Sequence, residues 1–178
     1  MEYEPEELFE EIKLYNDNYH SISFTGGEPL LQKDFLKEVL KLTTKDGYKN
    51  YLETNGTLAG EIADTIDYLD IVAMDIKLPT STGMGNLWSL HRKFLNVASK
   101  KEVILKTIIC QSTQEEDLKE VLSLIKEVNT PSVLVLQPNS YENDGALTKK
   151  LENFKDICIR EGVLACIIPQ MHKIVGIK

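Results

Sequence analysis

The chain has 178 residues, of which 42% are hydrophobic and 27% charged, and its formal net charge is −8. These totals fit one folded domain with a continuous core and exclude a disordered chain, while the acidic balance excludes a broad nucleic-acid-binding face. The sequence shows neither a secretory signal nor an apolar run of ~20 residues, so we expect a cytoplasmic protein that binds no membrane.

Helix-spaced apolar residues alternate with short apolar runs along the whole sequence. Pro5 and apolar residues at steps of three and four predict a first helix that reaches Tyr19. The predicted strands are 21–24, 50–52, 71–74, 103–109, 133–136 and 163–168. Thr113 and Glu116 have the spacing of a capping box, which predicts the start of the fifth helix. The αβ alternation predicts an α/β fold with a mainly parallel sheet, as a single domain over residues 1–178.

Polar residues collect directly after the predicted strands. They lie in segments 25–29, 53–56, 75–77, 137–139 and 169–173. The C-terminal ends of parallel strands meet at one edge of a sheet, where ligands reach loop backbones and helix N-termini. We therefore expect one rim that binds a small-molecule substrate or cofactor.

The first of these segments contains two adjacent glycines followed by a glutamate. Gly26 and Gly27 let the backbone approach a ligand closely, and Glu28 adds a carboxylate suited to a ligand ammonium. A tight turn with a solvated glutamate explains the same residues equally well. Asn55 followed by glycine is by itself more often a turn than a site. The residues alone leave turn and site open.

Charged residues continue the third predicted strand. Asp75 and Lys77 are two residues apart, so on extended backbone both side chains point to the same side. An unpaired charge there would be costly, which favours a mutual ion pair or a polar pocket. His172 with Lys173 is either an anion contact or a surface basic pair. His91 shares a helix face with Trp88 and Phe94, so we expect a packing residue or a surface helix residue rather than a ligand.

Nothing in the sequence has the spacing of a metal site. Cys110, Cys158 and Cys166 are too far apart for a CxxC or CxxxCxxC ligand set. No Walker loop, dinucleotide fingerprint or nucleophile–His–acid set is present. We therefore name no catalytic residue and no metal ligand.

Three motifs, taken together and in this order, resemble the radical S-adenosylmethionine superfamily. They are Thr25-Gly-Gly-Glu-Pro-Leu-Leu31, Glu53-Thr-Asn-Gly56 and Asp75-Ile-Lys77. The resemblance implies a partial (β/α)6 barrel that binds S-adenosylmethionine. It implies cofactor contacts at Gly26, Gly27, Glu28, Asn55, Asp75, Lys77 and Gln137, and substrate contacts at Thr25 and His172.

Further segments resemble the 7-carboxy-7-deazaguanine synthase group within that superfamily. They are Met74-Asp-Ile-Lys-Leu-Pro79, Leu136-Gln-Pro138 and Pro169-Gln-Met-His-Lys173. The resemblance implies that a 5′-deoxyadenosyl radical abstracts hydrogen from a pterin-like substrate in deazapurine biosynthesis. The alternatives are an activase of glycyl-radical enzymes, which would require a protein partner, and a non-catalytic binding or interaction module.

Members of the superfamily begin with a further strand and a CxxxCxxC loop that holds a 4Fe–4S cluster. This sequence starts at the following helix, so we expect the first strand and the cluster ligands to be missing and the chain to be inactive as given. Truncation and degeneration are the two explanations, and the retained Gly-Gly-Glu motif favours truncation. A second subunit over the exposed sheet edge would make the protein a homodimer, which the sequence leaves open.

Overall fold

Six parallel strands form the centre of the protein in a computed structural model, which describes residues 3–15, 19–83, 85–129, 131–142 and 145–169. The strands β1 to β6 are Ile22–Phe24, Asn50–Thr54, Ile71–Asp75, Glu102–Ile109, Ser132–Pro138 and Ala165–Ile167. They lie in the sheet in the same order as in the sequence, and every neighbouring pair is parallel. The predicted α/β fold with a parallel sheet is confirmed.

Helices connect the consecutive parallel strands, and connections of this kind are right-handed as a rule. Helices α1 to α7 are Pro5–Leu14, Lys33–Lys45, Ala59–Thr65, Pro79–Thr82, Trp88–Ala98, Glu115–Val128 and Gly145–Arg160. The longer helices contact one another in chain order, α1 with α2, α2 with α3, α3 with α5, α5 with α6 and α6 with α7. Sequential strands with crossovers of one hand place the helices on one face of the sheet. The result is the predicted partial (β/α)6 barrel.

The two faces of the sheet differ in burial. In β4, Val103, Leu105 and Ile109 are buried in the core that the helices cover, whereas the alternate residues are half-exposed. Strand pairing places Lys106 beside Asp75 of β3. Because successive side chains alternate between faces, these two charged residues lie on the face without helices.

Polar groups at the N-terminal end of the sheet are buried and fully paired. The Asn50 side chain accepts from the Thr43 hydroxyl at 2.8 Å and donates to the Tyr68 carbonyl at 2.8 Å. Its backbone N–H donates to Asp70 Oδ2 at 2.8 Å. This network ties α2 to β2 and to the turn before β3, so its role is structural.

Two local predictions are wrong. Helix α1 ends at Leu14, and the backbone of Tyr15 is extended there, so the helix does not reach Tyr19. Both tyrosines are largely exposed and pack on no core. Thr113 does not cap α6, because the cap position is Gln114. The Thr113 hydroxyl instead accepts from the Cys110 N–H at 2.9 Å inside the preceding loop.

None of the helices in the described part of the chain is long and apolar enough to span a membrane.

The core predicts a sharp contrast along helix α5. Phe94 is fully buried, whereas Leu90 on the same helix is 41% exposed. We expect Phe94→Ala to lower the free energy of unfolding by about 3–5 kcal/mol, because it leaves a cavity. Leu90→Ala should lower it by less than about 1 kcal/mol. Urea unfolding measures both, and equal losses in the two variants would contradict this description of the core.

Candidate functional site

A cleft of about 400 Å³ opens at the C-terminal ends of β1 to β4. Its lining combines two glycines with charged and amide side chains from four consecutive strands and their loops. The lining residues are Thr25, Gly26, Gly27, Glu53, Thr54, Asn55, Asp75, Lys77 and Lys106. The structure thus brings six of the residues proposed from the sequence, three from the first motif and three from the next two, into one cleft.

Gly26 and Gly27 form the part of the cleft where backbone is exposed. Their φ angles are +94° and +57°, a region that side chains disfavour, and a Cβ added to either residue would meet no atom within 4 Å. The positive φ angles explain why both positions need glycine. Because no atom fills the space beside the two residues, a ligand can reach their backbone N–H and C=O groups.

Glu28 lies beneath this turn and is not among the residues that line the cleft. Its carboxylate accepts hydrogen bonds from the Leu30 N–H at 3.2 Å, the Thr54 hydroxyl at 2.9 Å and the Asn55 N–H at 2.8 Å. The side chain therefore starts the 3-10 turn Pro29–Gln32 and joins the loop after β1 to the loop after β2. A direct contact between Glu28 and a ligand ammonium stays a prediction.

Two ion pairs line the cleft. Asp75 and Lys77 are 3.0 Å apart and each side chain is 33% exposed, which is the mutual pair that their spacing predicts. Lys106 lies 3.2 Å from Glu53, and its side chain is only 16% exposed. Thr25 donates to the second oxygen of Glu53 at 3.4 Å. Half-buried pairs of this kind are weak enough to exchange partners with a charged ligand.

Glu53 and Lys106 were not identified from the sequence as site residues. Glu53 stands at the start of the Glu-Thr-Asn-Gly motif, and Lys106 interrupts the otherwise apolar run of the fourth strand. A lysine inside such a run is the available signal, because a buried cation requires a partner. The partner lies on β2, 53 positions earlier in the chain, and no spacing rule connects the two.

The remaining predicted residues lie outside this cleft. Gln137 is half-buried on β5 opposite Ile108 of β4 and does not line the cleft. His172 lies outside the residues that the structure describes. A second cleft of about 210 Å³ adjoins the first, because Asp75 and Lys77 line both. Hydroxyl and amide groups dominate its polar lining, from Ser81, Thr82, Thr107, Asn139 and Tyr141.

His91 lies next to the cleft without lining it. The side chain is fully buried on α5, so of the two positions that the sequence leaves open it takes the packing one, and its ring meets that of Trp88 edge to face at 6.3 Å. The pKa of His91 is lowered to about 4, chiefly because the ring is buried; the Asn55 backbone raises it against this effect, the Lys77 ammonium contributes to the lowering, and Asp75 opposes it weakly. The ring is therefore neutral at pH 7.

The described residues do not fit an iron–sulfur cluster. They contain no group of three or more histidine, cysteine or acidic side chains that is placed to hold a metal ion. Cys110 and Cys158 are buried and Cys166 is partly exposed, each as a free thiol. Burial raises the pKa of Cys158 to about 11, which opposes the thiolate that a cluster requires.

Substitution of Glu28 tests whether its carboxylate holds the loops after β1 and β2 together. Glu28→Gln removes a charge that three donors share, so we expect the free energy of unfolding to fall by about 1–3 kcal/mol in urea titrations. Glu120→Gln, an exposed change on α6, is the matched control and should alter it by less than about 0.5 kcal/mol. A variant as stable as the control would show that Glu28 does not hold the two loops.

The lowered pKa of His91 predicts a pH dependence. Its folded value of about 4 lies below the ordinary value of 6.5, so the unfolded chain binds the proton first as the pH falls. This contribution to stability is complete above pH 6.5 and is lost towards pH 4, by about 3 kcal/mol. His91→Phe should remove this part of the slope in unfolding experiments from pH 7 to 4. An unchanged slope would contradict the assignment.

Comparison with known proteins agrees with the geometry. The family model of the radical SAM superfamily matches residues 1–147. The chain is 34% identical over 160 residues to a 7-carboxy-7-deazaguanine synthase of Geobacter sulfurreducens, a match that covers 89% of this chain and 64% of that protein. A protein of the same name from Methanocaldococcus jannaschii is 27% identical over 176 residues, covering 92% of this chain and 70% of that protein.

A solved structure shows the same fold. A domain of the pyruvate-formate lyase-activating enzyme from Bacteroides vulgatus superimposes with a TM-score of 0.68 at 17% identity, covering 84% of this chain and 99% of that chain. The chain spans about two thirds of the length of the synthases that it matches. Because the family model covers most of the sequence, from the first helix to the start of the last, the chain belongs to the radical SAM superfamily.

Proposed function

We propose that this chain is the S-adenosylmethionine-binding part of a radical enzyme of the 7-carboxy-7-deazaguanine synthase type. The observation that carries the proposal is the cleft itself, in which the open backbone of Gly26 and Gly27 faces two exchangeable ion pairs. The similarity to synthases of that name supports the choice within the superfamily.

The cleft suits the amino-acid end of the cofactor. That end is a zwitterion, with an ammonium and a carboxylate on one carbon. The carbonyl groups of the glycine turn and the Glu53 carboxylate accept from the ammonium, and Lys106 donates to the carboxylate. Each of the two ion pairs carries no net charge, and neither does a zwitterion. The cofactor can therefore enter without leaving a net buried charge.

The adjoining cleft suits the nucleoside end. It begins where Asp75 and Lys77 separate the two spaces, and its walls offer uncharged donors and acceptors from Thr82 and Asn139. A ribose and a purine need hydrogen-bond partners of this neutral kind together with apolar contact, which Ile76 and Ile108 provide. A cofactor of this length would therefore lie across the ends of β1 to β5.

In enzymes of this superfamily a reduced 4Fe–4S cluster would supply the electron for radical formation from bound S-adenosylmethionine. The described residues do not fit that cluster, so their work is to bind and orient the cofactor. By themselves they provide binding without turnover. Thr25, exposed at the mouth of the cleft and bonded to Glu53, is the group we assign to a pterin-like substrate.

An activase of glycyl-radical enzymes is the second candidate. Leu31, four positions after the glycine turn, is 75% exposed and offers a protein partner an apolar contact on the same loop. The two candidates differ in the third component they need. A pterin that tightens cofactor binding favours the synthase type, and a protein radical partner that does so favours the activase.

Calorimetry with S-adenosylmethionine tests the proposed site. We expect Lys106→Met to weaken binding at least about tenfold, because a charge-assisted hydrogen bond is worth roughly 1.5–3 kcal/mol. Lys119→Met is the matched control, since that lysine is 68% exposed on α6 and lines neither cleft. Equal dissociation constants for the two variants, or no binding by the unaltered chain, would contradict the proposal.

A further inference from the structure

Asp117 on α6 is a buried carboxylate that the proposed cofactor contacts leave unused. The residue is 7% exposed, and no cationic side chain of the described residues forms an ion pair with it. A buried carboxylate is costly unless hydrogen bonds replace its water. Here the hydroxyl of Thr80 donates to Asp117 Oδ2. Because Thr80 belongs to α4, the carboxylate joins two elements through residues that are 37 positions apart in the chain.

Three more hydrogen bonds join the same two segments. The Ser112 hydroxyl donates to the Thr80 carbonyl at 2.9 Å. The Ser81 hydroxyl donates to the Ile108 carbonyl at 3.0 Å and lies 2.7 Å from the hydroxyl of Thr113. We call these side chains the loop latch, which consists of Thr80, Ser81, Ser112, Thr113 and Asp117. Its contacts connect α4 to the segment that runs from the end of β4 to the first turn of α6.

Helix α4 has little packing of its own. It is a single turn, none of its residues is buried, and it ends at Gly83, whose φ is +67°. Leu78, directly before it, is buried and fixes only its N-terminal end. One turn of helix is not stable by its own hydrogen bonds, because nucleation fixes several residues for one bond. The position of α4 therefore depends on the loop latch.

Both segments that the loop latch joins line the second cleft. Ser81 and Thr82 line it from α4, and Cys110 lines it from the loop after β4. Of the latch residues, only Ser81 is part of that lining. Substitution of Thr80 or Asp117 therefore changes the support of the wall and removes no group that the cleft presents to a ligand.

An acidic residue in the first turn of a helix has a simpler explanation, which is its attraction to the helix dipole. Glu115 and Glu116 stand in the same turn of α6 and are exposed, so they provide that attraction without burial. The dipole explains why this turn carries acidic side chains. It does not explain why Asp117 is buried against Thr80.

We infer that Asp117 is a positioning residue, which holds α4 through the Thr80 hydroxyl and thereby fixes the wall of the second cleft. The nucleoside end of S-adenosylmethionine is the part of the ligand that meets this wall, and that consequence alone rests on the proposed function. Methionine fills only the first cleft, so its binding does not depend on the loop latch.

Amide hydrogen exchange in the unaltered chain and its variants tests whether Asp117 holds α4. The amides of residues 81–83 donate hydrogen bonds within this turn. We expect Asp117→Ala to speed their exchange about tenfold, the factor that one ordinary hydrogen bond contributes. Glu116→Ala is the matched control, because it removes a charge from the same turn of α6, and it should leave these amides unchanged. Asp117→Asn should restore protection, because its amide oxygen accepts from Thr80.

Thr80→Val breaks the same contact from α4 and leaves α6 unaltered. It should speed the exchange of the same amides, so the contact is tested even if the alanine variant of Asp117 does not fold. Unchanged exchange in Thr80→Val, or an effect of Glu116→Ala as large as that of Asp117→Ala, would overturn the inference.

Calorimetry separates the position of the wall from general stability. We expect Thr80→Val to weaken the binding of S-adenosylmethionine about tenfold, while the dissociation constant of methionine stays the same. An equal effect on both ligands, or none on S-adenosylmethionine, would overturn the positioning role. If the unaltered chain binds neither ligand, the proposed function fails, and the exchange measurement still decides whether Asp117 holds α4.

Discussion

The carboxylate of Glu28 is the group on which the geometry of the rim depends. Parallel strands β1 and β2 bring two loops to one edge, but adjacency does not fix how the loops stand relative to each other. Glu28 does so by accepting from the Thr54 hydroxyl and the Asn55 N–H while it starts its own 3-10 turn. The Gly26-Gly27 backbone can therefore face open space, because the residue after it holds the turn in place.

The two ends of the sheet use polar groups differently. At the N-terminal end, Asn50 is buried and its donors and acceptors are all taken by neighbouring groups, so that end can only stabilise the fold. At the C-terminal end, Glu53 and Lys106 pair with each other beside an open cleft. Ion pairs that water partly reaches are inexpensive to break, so this end can exchange its internal partners for those of a ligand.

Much of this arrangement follows from the sequence. Apolar periodicity predicts the parallel sheet, and the rule that ligands meet the C-terminal ends of strands places Gly26, Asn55 and Asp75 together. Periodicity fails at Tyr15, because helical spacing continues in the sequence where the backbone has already become extended. It also fails at Thr113, whose hydroxyl has a loop partner that no local pattern reveals.

Lys106 is a site residue whose partner the sequence alone does not predict. A lysine in an apolar strand signals a partner, but the identity of that partner depends on strand order and register, which place β3 between β4 and β2, the strand that carries Glu53. The same holds for His91, because only the packed structure shows that neither ring nitrogen has a hydrogen-bond partner among the described residues. Local patterns thus predict which residues gather at the rim, and tertiary packing decides which of them are free to act.

We propose that the cleft between the glycine turn and Lys106 binds the amino-acid end of S-adenosylmethionine, and a crystal structure of the chain soaked with that compound measures this most directly. We expect its ammonium against the Gly26-Gly27 backbone and its carboxylate within hydrogen-bond distance of Lys106. Density for the compound elsewhere, with the ion pair between Glu53 and Lys106 intact, would contradict it.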